Sequence, residues 1–586
     1  MRFIAAIISF VIAFGLIAYG IAQRTVLAEA DSITASETFT TKAPVTIISS
    51  STLKSLPGRQ QIHIGGAKKI FAAYGRTEDV MAWVGDTRYN RVGFNSEKST
   101  LTSSLIAGKS SSVPNPRGSD LWLDEFRETN SLDFTVNVPD GISVIIVSDG
   151  TSAAPSELSI RWPLDNRTPW SGPLIVGGIV LLILGLALYL WGLAHLRRSR
   201  GPRRKSPKMP KVPRQRSYRP RKPKTLVPSG SRRSNRRRMV AIMPVLLIGG
   251  LTLSGCSPAS WPDFMSGAAS ATPTPSATAA VANDTPPAVT SPQLKVILAR
   301  ISAVAAKADA DKDVELAKTR FDGAALDLRA ANYAIRKVDG TQAALAAIPA
   351  SVATVILPQQ QKADKWPRVV FTVVQNPTDK KVPPVGLMLE QMTPRSDYKV
   401  KYATALEAGV VLPKLAAKEV GAPRTDPNGK LLELAPSKIA LAYGDILEKG
   451  PTSPSSKYFD TSNDKLIGLI GVEYRKSLQA ALPATAKMEF ANTVGPYDSI
   501  GLGSNDSGAI IAVYLTETVT VTPVQAGAAV NPEGQVKSLS GVTGSTKGTV
   551  AVYGDQLLFY VPNSNSKQDI ALLGFATGLI SAKELP

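Results

Sequence analysis

The stretch 232–256, RRSNRRRMVAIMPVLLIGGLTLSGC, constrains this chain more than any other. Arginines precede fifteen mostly apolar residues, 239–253, and Leu253-Ser254-Gly255-Cys256 closes the run. A charged segment, an apolar segment and small residues before a cysteine are the parts of an export signal of the lipoprotein kind, a lipobox whose cysteine thiol is alkylated by a diacylglyceryl group. Such signals stand at an N-terminus, whereas this one stands in the middle of 586 residues. The residues before it must leave the nascent chain on the cytoplasmic side, and the residues after it are expected outside. Fifteen residues containing Pro244, Gly249 and Gly250 are short of the roughly 20 that a permanent span needs, and suit an exported apolar segment. Cys256 is the sole cysteine of the chain, at the one position the signal requires. Translation from Met209 or Met239 would place the same stretch at an N-terminus.

Two longer apolar runs lie upstream. Residues 3–22 follow Arg2 and are long enough to cross about 30 Å of hydrocarbon. They exceed the 7–15 or so apolar residues of a cleavable signal. Residues 1–22 are therefore read as a transmembrane helix or signal anchor, with Ala18-Tyr19-Gly20 and Ala28-Glu29-Ala30 as the cleavage patterns on offer. Residues 173–196 form the second span, with Trp170 and Trp191 near its ends, and Arg197, Arg198 and Arg200 place its far end in the cytoplasm. The segment 197–238 holds nineteen Lys or Arg and no Asp or Glu, which is nearly all of the net charge of +21. Too polar to bury a core, it is expected to be a disordered cytoplasmic loop on anionic headgroups, each basic residue adding about 1 kcal/mol near the surface. An acidic cytoplasmic protein is the alternative partner. Nucleic acid is not expected, since Tyr218 is the only aromatic residue there to stack on a base. Residues 239–256 are the apolar segment with its lipobox, and 257–290 an Ala/Ser/Thr/Pro linker.

The remaining length is enough for two folded regions. In 23–170 the periodicity is that of short strands, at 45–49, 61–64, 80–84, 132–138, 143–147 and 157–162, separated by turns such as Pro139-Asp140-Gly141. This predicts an all-β, sandwich-like extracytoplasmic domain, with Trp83, Trp122 and Trp162 in its core. The region after 290 predicts an α+β architecture in two helix-plus-antiparallel-sheet units, 291–425 and 426–586. Helices at 294–305 and 314–336 precede four strands in the first, and helices at 437–447 and 465–481 precede five in the second. That order suggests cone-shaped, nuclear-transport-factor-like units by analogy alone.

Residue counts exclude much chemistry. His63 and His195 are the only histidines, so the C-terminal region holds no Ser-His-Asp or Cys-His set and no histidine-ligated zinc. No catalytic residue, cofactor or metal is expected. The run Asp309-Ala310-Asp311-Lys312-Asp313 opens like a calcium loop, but Val314 replaces the turn glycine and Arg320 the bidentate glutamate, so it reads as a connection between helices. The glycine-rich stretch 501–508 lacks a lysine and leads into a strand, so it reads as a hairpin turn, and Gly65-Gly66 fails the same phosphate-loop test. Arg320, Arg329, Tyr333 and Trp366 are the candidate lining of a pocket under the C-terminal sheet, with a structural role as the plainer reading.

Several stretches are similar to patterns in a family of actinobacterial membrane proteins of unknown function. They are the runs 74–83 (YGRTEDVMAW), Arg161-Trp162-Pro163, 320–326 (RFDGAAL), Trp366-Pro367-Arg368 and Asp506-Ser507-Gly508-Ala509. The resemblance implies an envelope with a single membrane and a thick wall, and supplies no activity or catalytic residue. The expectation is a non-enzymatic, membrane-tethered envelope protein of the plasma membrane. Its extracytoplasmic modules, at 23–170 and 257–586, would bind a protein, a wall polymer or a lipid. The alternative is a small-ligand carrier or carboxylate-dependent enzyme using a C-terminal pocket.

Overall fold

The structure, a computed structural model, describes residues 2–27, 30–40, 42–164, 169–199, 287–350, 352–360, 366–379 and 381–586. The basic loop past Ser199, the lipobox residues Leu253, Ser254, Gly255 and Cys256, and the linker up to 286 lie outside the described residues. The chain divides into two compact units. One comprises residues 1–33 and 163–278; the other comprises 34–162 together with 279–586.

The first unit is a helical pair, α1 (Arg2–Arg24) and α4 (Ser171–Ser199), both long and apolar enough to cross a membrane. They run antiparallel, since Gly20 faces Ile175 near one end and Gly192 faces Phe3 near the other. Small residues recur every seventh position on both: Ala6, Ala13 and Gly20 on α1, and Ser171, Gly178, Gly185 and Gly192 on α4. A Cβ at Gly178 would lie 2.6 Å from Ile17 Cγ1 and 2.9 Å from the Ala13 carbonyl, so the glycine is what lets the helices close. The Ser9 hydroxyl donates to the Leu181 carbonyl across the same seam at 2.9 Å.

The N-terminal module is mostly β, with one nearly closed eight-stranded sheet rather than the two sheets of a sandwich. Its strands are β1 (Ser32–Thr38), β2 (Val45–Ile48), β3 (Gln60–Arg76), β4 (Tyr89–Asn95), β5 (Thr100–Ile106), β6 (Asp124–Val136), β7 (Ile142–Val147) and β8 (Glu157–Pro163). The order is β1-β8-β3-β7-β2-β4-β5, with β6 on the other edge of β3. Seventeen-residue β3 pairs β8 through its first half and β7 through its second. Between the halves Gly66 takes φ +79°, and the register against β6 shifts there, so Gly65-Gly66 forms a bulge. The short helix α2 (Ser50–Leu53) follows β2.

Residues 80–84, read from sequence as a strand, belong instead to helix α3 (Thr77–Val84). Glu78 and Asp79 in its first turn favour the helix dipole, and Asp79, Val80, Trp83 and Val84 are buried at helical spacing. Tryptophans 83, 122 and 162 are all core residues, as the sequence predicts. Trp83 and Trp122 meet edge to face at 5.5 Å on the outer face of the sheet, while Trp162 fills the inner core and donates to the Leu53 carbonyl.

The C-terminal region is rich in β structure. Its helices are α5 (Ser291–Asp311), α6 (Val314–Lys318), α7 (Gly323–Val338), α8 (Pro436–Lys449), α9 (Lys465–Ile470), α10 (Val472–Ala481) and α11 (Gly534–Ser540). Strands β9 (Val352–Pro358), β10 (Arg368–Val374), β11 (Val385–Gln391) and β12 (Lys399–Leu406) form one antiparallel run. Strands β14 (Ala486–Val494), β16 (Ala509–Pro523), β17 (Thr549–Val561) and β18 (Ile570–Glu584) form another, with β13 (Phe459–Asp460) and β15 (Ile500–Gly503) attached. The two runs make one ten-stranded sheet, joined where Ala405 and Leu406 of β12 pair with Phe575 and Gly574 of β18. The glycine-rich stretch is the β15–β16 hairpin, Gly503 facing Ala509.

The helix expected over 314–336 is broken. Between α6 and α7 the chain pairs with β12, the Asp322 amide donating to the Val400 carbonyl and the Val400 amide to the Arg320 carbonyl. Gly323 resumes the helix from φ +58°. The Asp309–Asp313 run does connect two helices, but Asp309 turns inward and accepts from the Tyr333 hydroxyl at 2.5 Å.

Candidate functional site: an arginine-pinned interface

The N-terminal module and the C-terminal region belong to one compact unit, and the surface between them contains several of the most deeply buried charges in the protein. Asp120, in the turn before β6, has a fully buried side chain. It accepts from both terminal nitrogens of Arg320, at 2.5 and 3.3 Å, from Arg300 Nη1 on α5 at 3.0 Å, and from the Tyr398 backbone amide at 2.9 Å. Arg320 sits in the break between α6 and α7, so the interruption that local periodicity misses is what aims its guanidinium. Asp397, 3.3 Å from Arg320, is held toward its neutral form by burial and by the charge of Asp120.

The second pin is on α3. Asp79, 1% exposed, pairs with Arg76 Nε at 2.8 Å and with Arg368 Nη2 of β10 at 2.6 Å. Arg368 is itself 2% exposed and lies 3.8 Å from the ring of Trp366, which packs against the Trp83–Trp122 cluster. Burial also raises the Tyr398 hydroxyl far above its ordinary value. Arg76 crosses in the opposite direction, its terminal nitrogens donating to the carbonyls of Pro287 and Ala288.

Backbone groups complete the contact. The last carbonyls of a helix have no partner within it; on α3 those of Trp83 and Val84 accept from Arg395 at 2.8 and 2.9 Å. A cation is favoured there by the helix dipole as well. Gln293, locked in the Thr290 capping box of α5, donates to the Leu121 carbonyl at 2.9 Å. Multidentate guanidinium contacts of this kind fix geometry as well as supplying energy.

The four candidate pocket residues thus divide. Arg320 and Trp366 belong to this interface. Arg329 and Tyr333 sit together on α7, where Arg329 stacks 3.9 Å over Phe321 and pairs with Asp309, the partner of Tyr333. Beside Asp309 lies a mostly apolar cleft of about 540 Å³ between α5 and the ends of β10 and β11. A separate cleft of about 450 Å³ is lined by Glu407, Asp460, Asp464, Lys465 and Tyr560. Burial holds both Glu407 and Asp464 toward the neutral form there. Asp464 accepts from the Tyr443 hydroxyl at 2.6 Å. Arg76, Asp79, Asp120, Arg300, Arg368 and Arg395 are the interface residues that sequence reasoning did not single out. For Arg76, Asp79 and Arg368 a signal was present, because they lie in the stretches 74–83 and 366–368, whereas Asp120, Arg300 and Arg395 lie in none of the stretches that carry the resemblance.

Fold and site define a class: a two-module β-rich protein, with two helices apolar enough to span a membrane, whose modules are joined by buried arginine–aspartate pairs. A family model described as a domain of unknown function, DUF8094, matches residues 285–584, half of the chain, and the chain belongs to that family. No curated protein and no solved structure matches it.

Proposed function

We propose that this is a non-enzymatic, membrane-tethered protein of a cell envelope, whose two modules form one extracytoplasmic body that binds a protein, a wall polymer or a lipid. The observation that carries this reading is the buried interface. Helix α4 lies between the modules in the chain, so with α4 across a membrane the two docked surfaces would be on opposite sides unless the chain recrosses between 200 and 286. The apolar run 239–253 supplies that crossing. As a helix it would measure about 22 Å, short of a core of about 30 Å, which suits a translocated signal better than a permanent span. In this reading the Cys256 thiol displaces the headgroup phosphate of a membrane glycerophospholipid, forming a thioether to diacylglyceryl and releasing the phosphate headgroup with the thiol proton. Water then hydrolyses the Gly255–Cys256 peptide bond, with Leu253, Ser254 and Gly255 as the recognition residues.

Arg197 and Arg198 orient α4 with its C-terminal end in the cytoplasm, and the basic stretch 197–238 adheres to anionic headgroups. The close fit of α1 against the glycines of α4 supports a retained first helix. The resemblance to actinobacterial membrane proteins supports a single-membrane envelope. Each of the two antiparallel runs with its helices is read as a nuclear-transport-factor-like unit. A second reading, a small-ligand carrier or carboxylate-dependent enzyme, draws on the Glu407–Asp464 cleft; loss of a reproducible activity on Glu407→Gln or Asp464→Asn would favour it.

The sole cysteine makes the topology measurable. In a Cys256→Ser background, Lys109→Cys and Leu431→Cys, at positions 92% and 83% exposed, should both react with a membrane-impermeant maleimide in intact cells. Labelling of one module alone, or of neither, would refute the reading.

A further inference from the structure

We infer that the interface is a self-sufficient binding surface, so that the N-terminal module and the DUF8094 domain stay associated when the chain between them is cut. The partner of the arginine face on the C-terminal domain is then the separate polypeptide that carries residues 34–162. This rests on the lipoprotein reading above: hydrolysis at Gly255–Cys256 would produce a polypeptide anchored by α1 and α4 and a second one anchored by lipid, forming a two-chain complex.

Three features carry the inference. The contact is dense in charge-assisted bonds, with Arg300, Arg320, Arg368 and Arg395 reaching from the C-terminal side and Arg76 from the N-terminal side. It is desolvated, since Asp79 and the side chain of Asp120 are buried and Trp366 seals the Trp83–Trp122 cluster. Each module also has its own hydrophobic core: Trp162 and Ile146 lie in one, and Tyr333 and Leu387 in another. Their association therefore does not need the intervening chain to complete either fold. Aromatic and arginine anchors at the centre of a buried patch are the features that dominate protein–protein affinity, and desolvated close charge pairs are lost mainly through faster dissociation.

The test uses the full chain in a Cys256→Ser background, which the natural cut would leave whole, with a site-specific protease sequence inserted after Ala271 and an affinity tag at the C-terminus, solubilised in detergent. After cutting, the N-terminal fragment should remain on the resin with the tagged domain. In Asp120→Ala/Arg368→Ala the dissociation constant between fragments should rise by about 100-fold or more, the scale expected when desolvated charge pairs lose a partner. The variant's C-terminal core must keep its wild-type amide protection, so that loss of binding is not loss of fold; Lys54→Ala, at an exposed pair outside the contact, should leave retention unchanged. Release of the wild-type fragment on cutting would overturn the proposal, as would full retention in the double variant. The engineered cut tests the interface alone. Persistence of a natural cut in Cys256→Ser, or its absence in the wild type, bears on the lipoprotein reading alone.

Discussion

Removing the Asp120 carboxylate is the sharpest perturbation of this molecule. In Asp120→Ala the Arg320 fork and the Tyr398 amide lose this acceptor, while Arg300 Nη1 keeps the Gly118 carbonyl at 2.6 Å. Arg300 is 31% exposed and can turn to water, so its share is small, about 0–1 kcal/mol. The Tyr398 amide and the Arg320 guanidinium, whose side chain is 7% exposed, have no such recourse. A hydrogen bond to a charged group contributes about 1.5–3 kcal/mol, and orphaning one partner of a buried pair costs about 3–5 kcal/mol. Asp397 at 3.3 Å offsets part of this by remaining beside Arg320. The expected loss is therefore about 3 kcal/mol in urea unfolding of the full chain in detergent, followed by tryptophan fluorescence. The companion Asp120→Leu/Arg320→Met should recover at least half of it, because an apolar pair leaves no charge to strand. A loss below about 1 kcal/mol in the single variant, or no recovery in the double, would refute the argument that this pair pins the interface.

Asp555 is fully buried on β17, and burial pushes its carboxyl up to about 7, with Glu517 adding to the effect and Thr577 opposing it. The folded state then holds a proton that the unfolded chain releases near 4. Stability should fall as pH rises from about 4 to about 7, by an amount on the order of a few kcal/mol, and Asp555→Asn should flatten that slope in unfolding measured across the window. In the helical pair, Gly178→Leu would drive a side chain into Ile17 and the Ala13 carbonyl. Cross-linking between cysteines placed on α1 and α4 should drop sharply in this variant, while Gly177→Leu, with nothing within 4 Å, should leave it intact. Mass spectrometry of membranes should find a diacylglyceryl-modified peptide beginning at Cys256, lost in Cys256→Ser; recovery only of peptides spanning Gly255 and Cys256 would leave 239–253 as a third span.

Local pattern made several elements legible in sequence, and long-range pairing decided the rest. Strands β10 and β11 are two of the four expected in the first unit, legible because continuous apolar runs between turns leave little choice. Helix α5 is legible from the apolar spacing of Leu294, Ile297, Leu298 and Ile301, while its start at Ser291, fixed by the Thr290–Gln293 capping box, lies ahead of the expected 294. In 80–84, apolar Val, Trp and Val mimic a strand, and the burial of Asp79 beneath Arg368, 289 residues away, is a feature of the helix that the local pattern does not carry. Likewise, nothing near Arg320 says that the chain pairs with Val400 there, so the break in the helix was invisible. The single C-terminal sheet hangs on two residue pairs between β12 and β18, too brief to leave a periodic mark. Above all, the Asp120–Arg320 contact joins residues 200 apart across a segment that reads as a membrane crossing, a linkage that no local rule encodes.

Hydrogen exchange on the intact protein tests that linkage most directly. The Tyr398 amide is bonded to Asp120 of the other module, and the Trp83 and Val84 carbonyls to Arg395. Peptides covering 118–122 and 395–400 should both be protected in the wild type. Both should lose protection together in Asp120→Ala and in Arg320→Ala, while β10 and β7 stay slow. Loss on the mutated side alone, or equal exchange in wild type and variants, would show that the modules are not held to one another by these arginines.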